Sequence, residues 1–231
     1  MAEHQNKVVR REILESIRRN LAASKPLDAI RSEHKHPSIP RVTESSAPAG
    51  LTLVEQFCES LNAVGGHCEV VTDITGATRV VEQIIELLQA RRIAVSDSQL
   101  VARVIEKMQS DVELHTSAST AALFECDLGI TGAQWAVAET GTLVLESERE
   151  RHRLVSLVPP VHVAVLQAHS LRQTLGEILK ALGENHVLNL NRTVTFITGP
   201  SRTSDIELTP AIGVHGPGEL YVIIIEHSTN E

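Results

Sequence analysis

From residue 51 to residue 124 the chain alternates between helical and strand patterns, and this alternation limits the fold more than any other feature. Helical patterns, with apolar residues every three or four positions, cover 51–64, 75–89, 98–108 and 119–124. Strand patterns cover 68–71, 92–96 and a short segment near Leu114. Because neighbouring parallel strands are joined by crossover helices, the alternation predicts a mostly parallel sheet with helices on both faces.

The pattern changes after Cys126, where strand signals predominate. Residues 127–133 read as a buried strand, and Trp135–Ala138 and Thr142–Leu145 read as two strands joined by a turn. Further strands are predicted at 161–166, 193–198 and 220–225, with a helix over 171–182 that ends at Gly183. Since a tight hairpin is antiparallel, we expect an α/β fold with a mixed, mostly parallel sheet.

The first fifty residues differ from the rest. Residues 1–25 form a predicted amphipathic helix, whose apolar stripe is Val9, Ile13, Ile17 and Leu21. Residues 26–49 form a connector rich in proline, which interrupts helices. A short isolated helix is marginal in water, so we expect it to pack on the main domain or on a partner. The α/β domain then occupies residues 50–231.

Composition excludes several classes of protein. A net charge of −8 and an aromatic content of 2% argue against a nucleic-acid-binding surface. The cysteines are Cys58, Cys68 and Cys126, an odd number without CxxC spacing, which predicts a reduced chain without a disulfide framework. They are too few for a four-thiolate iron–sulfur site. No apolar run reaches about 18 residues and no leader pattern is present, so we expect a cytoplasmic protein with no membrane span.

The segment that follows the strand at 193–198 combines small hydroxyls with charge. Ser201 and Thr203 supply hydroxyls, and Arg202 supplies a planar group suited to a carboxylate or phosphate. Asp205 and Glu207 follow within the same loop. Two interpretations remain open: an anion-binding loop, or a helix start with Thr203 or Ser204 as N-cap and the two acids in the first turn.

Two further turns carry candidate functional groups. His215 lies within a glycine-rich turn, Gly213–Gly218, where it either moves a proton or simply bonds to a backbone carbonyl. Glu139 begins the hairpin turn at residues 139–142 and is either a general base or an exposed turn residue. We predict no metal site, because the sequence shows no cluster of ligand residues with suitable spacing.

A charged run, residues 148–153, precedes the strand that begins near Val161. Such runs are usually solvated, but its last member, Arg153, could fold over a ligand. His162 lies on an apolar strand, a pattern more typical of a satisfied core residue than of a catalyst. The candidate catalytic residues are therefore Glu139, Glu207 and His215, and the candidate ligand-binding residues are Gly199, Ser201, Arg202, Thr203, Asp205, Gly216, Thr140, Gly141, Thr142 and Arg153.

Several of these segments, in this order, resemble the lactate utilization protein C family, whose common unit is the LUD domain. The segments that carry the resemblance are Ile130–Ala133, Ala138–Leu143, Val158–His162, Thr198–Glu207 and Gly213–Pro217. The resemblance implies a fold similar to the sugar-phosphate isomerase and CoA-transferase class. It also implies a part in oxidising L-lactate to pyruvate beside partner proteins that hold iron–sulfur clusters, with no cofactor in this chain.

Three functional hypotheses follow. The first is a non-redox component of a lactate-oxidising system that binds a small anion through the loops around Arg202. The second is a stand-alone isomerase or acyl/CoA transferase that uses Glu139 or Glu207. The third is a structural subunit that assembles with iron–sulfur partners, and self-association into a homo-oligomer is compatible with each of them.

Overall fold

The protein was analysed as a computed structural model that describes residues 14–16, 18, 51–116, 119–147, 153–185, 193–204, 210–212 and 216–227. The chain divides into two units, Met1–Glu44 and Ser45–Glu231. In the first unit, Leu14, Glu15, Ser16 and Arg18 are helical, as the N-terminal pattern predicts. The rest of the predicted helix and the connector lie outside the described residues. All that follows concerns the second unit.

Six parallel strands form the main sheet of this unit. In chain order they are β1 (His67–Val71), β2 (Arg92–Val95), β3 (Glu113–His115), β4 (Leu128–Gly132), β7 (Val161–Gln167) and β12 (Glu219–Ile225). Their order across the sheet is β1-β12-β7-β4-β2-β3. The central strand β7 is buried along most of its length, in keeping with a sequence that is apolar except for His162 and Gln167.

Helices connect and cover these strands. They are α1 (Leu53–Ala63), α2 (Ile74–Leu88), α3 (Gln99–Glu106) and α4 (Thr120–Leu123). Local sequence fixes where two of them begin. Thr52 and Glu55 form a reciprocal capping box at the start of α1, and the Asp73 side chain accepts a hydrogen bond from the Gly76 N–H at the start of α2.

A second, four-stranded sheet is mixed. It contains β5 (Trp135–Val137), β6 (Thr142–Glu146), β8 (Leu171–Arg172) and β9 (Val194–Thr198), in the order β8-β5-β6-β9. The β5–β6 and β6–β9 pairs are antiparallel, and the β5–β8 pair is parallel. Helix α5 (Leu175–Asn185) covers its outer face, where Ile178 packs with Val137 and Val144. A small hairpin follows, in which β10 (Arg202–Ser204) pairs with β11 (Pro210–Ile212).

Two large apolar clusters separate the layers. One cluster joins α2 and α3 to one face of the main sheet, through residues such as Val81, Val101 and Val163. The other joins α1, the opposite face of the main sheet and the inner face of the small sheet, through residues such as Phe57 and Leu143. Helices therefore lie on both faces of a mostly parallel sheet, and the predicted fold class is confirmed.

Two local predictions are wrong, and one of the two open interpretations of the Thr203 segment is excluded. The helix predicted from residue 171 begins at Leu175, because Leu171 and Arg172 pair with β5 as strand β8, and it continues through Gly183 to Asn185. Thr203 lies inside strand β10 rather than at a helix start. Cys58 and Cys68 form a disulfide, because the α1–β1 turn at Gly65 and Gly66 brings their Cα atoms within 5.2 Å of each other.

Candidate functional site

Strand pairing brings two of the predicted segments together. Strand β6 starts at the hairpin turn, strand β9 ends at the Gly199 loop, and Thr142 lies opposite Thr198 in the antiparallel register. The Oγ1 atoms of these two threonines are 2.7 Å apart, and the Thr140 Oγ1 lies 2.7 Å from the Thr142 Oγ1. The pairing of β6 and β9 thus forms a chain of three hydroxyl groups that ends beside the Gly199 loop.

Glycines let both segments approach helix α1 closely. Gly141 and Gly199 have φ values of +63° and +79°. Residues with a Cβ atom rarely adopt this left-handed backbone conformation. A Cβ atom on Gly141 would lie 2.6 Å from the Cα of Leu61, and one on Gly199 would lie 2.9 Å from a side-chain carbon of Val64. Both predicted ligand-binding glycines therefore have a structural role, since they pack two loops against the end of α1.

The Gly199 loop also meets the segment that precedes β12. The Ser201 N–H donates a hydrogen bond to the Pro217 carbonyl at 2.8 Å, and the Gly218 N–H donates to the Pro160 carbonyl at 2.9 Å. A Cβ atom on Gly216 would lie 3.3 Å from the Cβ of Ser201. The backbone N–H of Ser201 is thus occupied within the protein.

Between these segments lies a cavity of 210 Å³, which we call the two-loop cavity. Its lining residues are Ser156, Leu157, His162, Thr195, Phe196, Ile197, Thr198, Gly199, Pro200, Ser201, Gly216, Pro217 and Leu220. The lining combines apolar side chains with four hydroxyl groups and one imidazole, and it includes no lysine or arginine among the described residues. Three predicted ligand-binding residues, Gly199, Ser201 and Gly216, therefore meet at one cavity.

The predicted cationic residues do not line this cavity. The Arg202 side chain is exposed and its guanidinium lies over Gly65, at the turn that follows α1. Arg153 begins a 3₁₀ helix, Arg153–Ser156, and its carbonyl accepts a hydrogen bond from the Ser156 hydroxyl at 2.8 Å. Neither arginine is among the residues that line the two-loop cavity.

Glu139 has a local partner. Its Oε1 accepts a hydrogen bond from the Leu175 N–H at 3.2 Å, at the N-terminus of α5, where a carboxylate is favoured by the helix dipole. It is not among the residues that line the two-loop cavity. Three other candidates, Asp205, Glu207 and His215, lie outside the described residues, as does the side chain of Thr203.

His162, which the sequence pattern assigns to the core, also lines the two-loop cavity. It is 1% exposed, and its Nε2 lies 2.8 Å from the Thr131 Oγ1 on the neighbouring strand β4. Its Nδ1 has no hydrogen-bond partner. Burial lowers the pKa of the imidazole to about 3, so the ring is neutral at physiological pH. The one available sequence signal was a histidine in a run otherwise composed of Val, Ala and Leu.

A second cavity lies at the opposite ends of the strands. It has a volume of 580 Å³ and is lined by Asp97, Ser98, Gln99, Leu100, Gly132, Ala133, Gln134, Gln167, His169 and Ser170. These residues follow the carboxyl ends of β2, β4 and β7, where the strand order reverses and open α/β sheets commonly bind ligands. The two-loop cavity instead borders the amino ends of β7 and β12, so the predicted loops lie away from this crevice.

A buried carboxylate also escaped prediction. Glu146 on β6 is 4% exposed and its Oε1 accepts a hydrogen bond from the Trp135 indole N–H at 3.0 Å. The Arg172 guanidinium lies 4.6 Å from the centre of the Trp135 ring. These contacts give Glu146 a structural role inside the small sheet.

The layered sheets place the chain among the open α/β proteins. A chain of this class from a DUF162 family protein of Deinococcus radiodurans, known from a crystal structure, is similar with a TM-score of 0.59 and 22% identity. The similarity covers 75% of this chain and 96% of that one. The model of the LUD domain family matches residues 54–225, which include both sheets, so the chain belongs to the LUD domain family.

Several relatives are similar in sequence. A lactate utilization protein C of Oceanobacillus iheyensis is 26% identical over 73% of this chain and 80% of its own length. A lactate utilization protein C of D. radiodurans is 37% identical over 46% of this chain and 50% of its own length. An uncharacterized protein of Neisseria meningitidis is 38% identical over 59% of this chain and 56% of its own length. The match thus spans about half the length of the D. radiodurans and N. meningitidis relatives.

Proposed function

We propose that this chain is a non-redox, ligand-binding component of a cytoplasmic system that oxidises L-lactate to pyruvate, and that a small anionic acid binds in the two-loop cavity. The observation that carries the proposal is the meeting of residues 198–201 with Gly216 and Pro217 around a cavity of 210 Å³. The names of the O. iheyensis and D. radiodurans relatives support lactate as the metabolite concerned.

The cavity suits a small organic acid in size and chemistry. Drug-sized ligands occupy pockets of about 300–1,000 Å³, so 210 Å³ fits a smaller molecule. The hydroxyls of Thr198 and Ser201 are donors for a carboxylate, and Leu157 and Leu220 offer apolar surface for a methyl group. Lactate and pyruvate each combine a carboxylate, one further oxygen and a methyl group.

The charge of the site predicts weak binding. The described lining has no cation, and the whole chain carries a net charge of −8. Hydroxyl donors stabilise a carboxylate less than a guanidinium does. We therefore expect a dissociation constant on the order of 1 mM.

The electrons released from lactate must go elsewhere. Oxidation of lactate to pyruvate removes two electrons and two protons, and the three cysteines of this chain are fewer than a four-thiolate cluster requires. We therefore assign the electron-carrying iron–sulfur clusters to partner proteins.

Ligand binding is tested by thermal unfolding of the purified chain with L-lactate, pyruvate or phosphate, against sodium chloride at equal ionic strength. We expect L-lactate or pyruvate to raise the Tm, and Ser201→Ala to reduce that rise. Ser98→Ala is the matched control, because Ser98 is also a half-buried serine but lines the crevice at the other strand ends. A rise in Tm that Ser98→Ala abolishes and Ser201→Ala preserves would move the ligand to that crevice.

Membership of the system is tested by co-purification from a lactate-grown host, followed by an assay of L-lactate oxidation with and without this chain. We expect iron–sulfur proteins to co-purify and lactate oxidation to require the chain. Full activity of the partners alone would contradict the proposal.

The transferase hypothesis has less support. Glu139 is engaged with the N-terminus of α5 and does not line the cavity. Turnover of an acyl-CoA or a sugar phosphate by the isolated chain, lost in Glu139→Gln, would favour that hypothesis instead.

A further inference from the structure

His162 occupies an unusual position for a core residue. It is the second residue of β7, with Gly129 of β4 on one side and Leu220 of β12 on the other. Its side chain is 1% exposed, and it is also part of the wall of the two-loop cavity. A polar ring in the middle of a parallel sheet therefore forms part of the wall of the two-loop cavity.

The hydrogen bonds of this ring are incomplete. Nε2 is paired with the Thr131 Oγ1 at 2.8 Å, whereas Nδ1 is buried and has no partner. Buried polar atoms are nearly always paired, because an unpaired one destabilises the folded protein. The protein thus keeps an unsatisfied hydrogen-bonding atom in the residue that borders the cavity.

The neutral state of the ring limits what it can recognise. A neutral imidazole carries one donor and one acceptor, and its bond to Thr131 decides which of these falls to Nδ1. A hydroxyl group is both a donor and an acceptor, so it satisfies Nδ1 in either tautomer. A carboxylate only accepts, and the Ser201 hydroxyl can donate to it, joined by the Thr198 hydroxyl when that group accepts its hydrogen bond from Thr142.

We propose that His162 is a specificity-determining residue whose Nδ1 binds the hydroxyl group on carbon 2 of a small 2-hydroxy acid in the two-loop cavity. The inference rests on the proposed function, because it requires an acid in that cavity. It goes further by naming Nδ1 of His162 as the atom that distinguishes a 2-hydroxy acid from an acid without oxygen on carbon 2. Thr198 and Ser201 then hold the carboxylate, while Leu157 and Leu220 contact the alkyl end.

The test compares L-lactate with propionate, which has the same carboxylate and carbon skeleton but no oxygen on carbon 2. Binding is measured by calorimetry or by ligand-observed NMR. We expect the wild-type chain to bind L-lactate at least about tenfold more tightly than propionate, as a lost hydrogen bond of about 1.4 kcal/mol implies.

Two isosteric variants locate the effect on the ring. The amide of His162→Gln reaches the position of Nε2 and retains a partner for Thr131, whereas the amide of His162→Asn lies near the position of Nδ1. We expect His162→Gln to reduce the preference for L-lactate over propionate to within about twofold, and His162→Asn to retain most of it. A purely structural role for His162 would weaken both acids equally and leave the preference unchanged, which would overturn the inference.

A measurement on the wild-type chain keeps the inference testable if the variants do not fold. With ¹⁵N-labelled histidine, we expect L-lactate to shift the Nδ1 resonance of His162, and propionate to leave it nearly unchanged. Equal binding of L-lactate and propionate, without a change at Nδ1, overturns the inference but leaves the proposed cavity standing. Failure of every acid to bind contradicts the proposed function and this inference together.

Discussion

At the scale of the residue, burial decides the behaviour of His162. The folded-state pKa is about 3, whereas an unfolded histidine titrates near 6.5. Between these pH values the unfolded state binds the proton and the folded state does not, so the free energy of unfolding falls as the pH falls. The contribution of the neutral ring to stability is present above about pH 6.5 and is lost progressively toward about pH 3.

We therefore expect the wild-type chain to lose stability relative to His162→Gln as the pH falls from about 6.5 to about 4. The difference in free energy of unfolding between the two proteins should change by up to about 1.4 kcal/mol per pH unit, because the unfolded wild-type chain binds one proton that its folded state does not. Urea unfolding at several pH values measures it. A stability difference between the two proteins that does not depend on pH would contradict the burial of an uncharged ring.

The close approach of Gly141 to α1 gives a second residue-scale prediction. Gly141→Ala places a Cβ against the backbone of Leu61 at a positive φ, so we expect a loss of about 2–4 kcal/mol in the free energy of unfolding. Gly176→Ala is the matched control: its Cβ would meet only the Thr174 Oγ1 at 3.8 Å, on an exposed turn of α5. There alanine should stabilise by about 0.5–1 kcal/mol. Equal effects of the two substitutions would argue against the packing of the hairpin on α1.

At the scale of the element, the disulfide joins α1 to β1. It links Cys58 to Cys68 across 10 positions and encloses Val64 and Gly65, which contact the Gly199 loop and Arg202. The bond thus restrains the turn on which the loop beside the cavity packs. Cys126 is buried and free, and burial raises the pKa of its thiol, so it is a poor competitor for exchange.

Closing a loop of this length should stabilise the chain by about 2–3 kcal/mol. We expect a phosphine reductant to lower the Tm of the wild-type chain and to leave the Tm of Cys58→Ser unchanged. A thiol titration of the unreduced, denatured chain should find one free thiol; three free thiols would contradict the pairing.

At the scale of the whole unit, the two sheets share one apolar cluster. Phe57 and Leu61 of α1 pack in the cluster that also holds Leu143 of the small sheet and Leu166 of the main sheet. Neither sheet can separate from the other without exposing this cluster to water. We infer that the two sheets unfold together.

The single tryptophan of the chain makes this testable. Trp135 lies in the small sheet, so its fluorescence reports on that sheet, whereas far-ultraviolet circular dichroism reports mainly on the helices around the main sheet. We expect the two signals to change at the same urea concentration. A fluorescence transition that precedes the dichroism transition would show that the small sheet unfolds separately.

Local patterns predicted most of the helices and strands, but missed the shortest strands and some boundaries. The helices around Val81 and Val101 follow from the spacing of their apolar residues, and the hairpin at Gly141 follows from its turn. The short strand β8 was missed because two residues, Leu171 and Arg172, leave no periodic signal, and their extended conformation depends on pairing with β5. The disulfide was missed because cysteine spacing does not reveal where a turn reverses the chain.

The features of the candidate site also divide into those that local sequence determines and those that depend on the tertiary structure. The sequence by itself determined the order of strands and helices and the chemistry of the Gly199 and Gly216 segments, because periodicity, glycine and small hydroxyls act over a few neighbouring residues. Only the tertiary structure decided that Thr142 meets Thr198, that Arg202 lies over Gly65 and that His162 borders the cavity with Nδ1 unpaired. These facts depend on the register of strands far apart in the chain and on burial, which are long-range properties that no local pattern encodes.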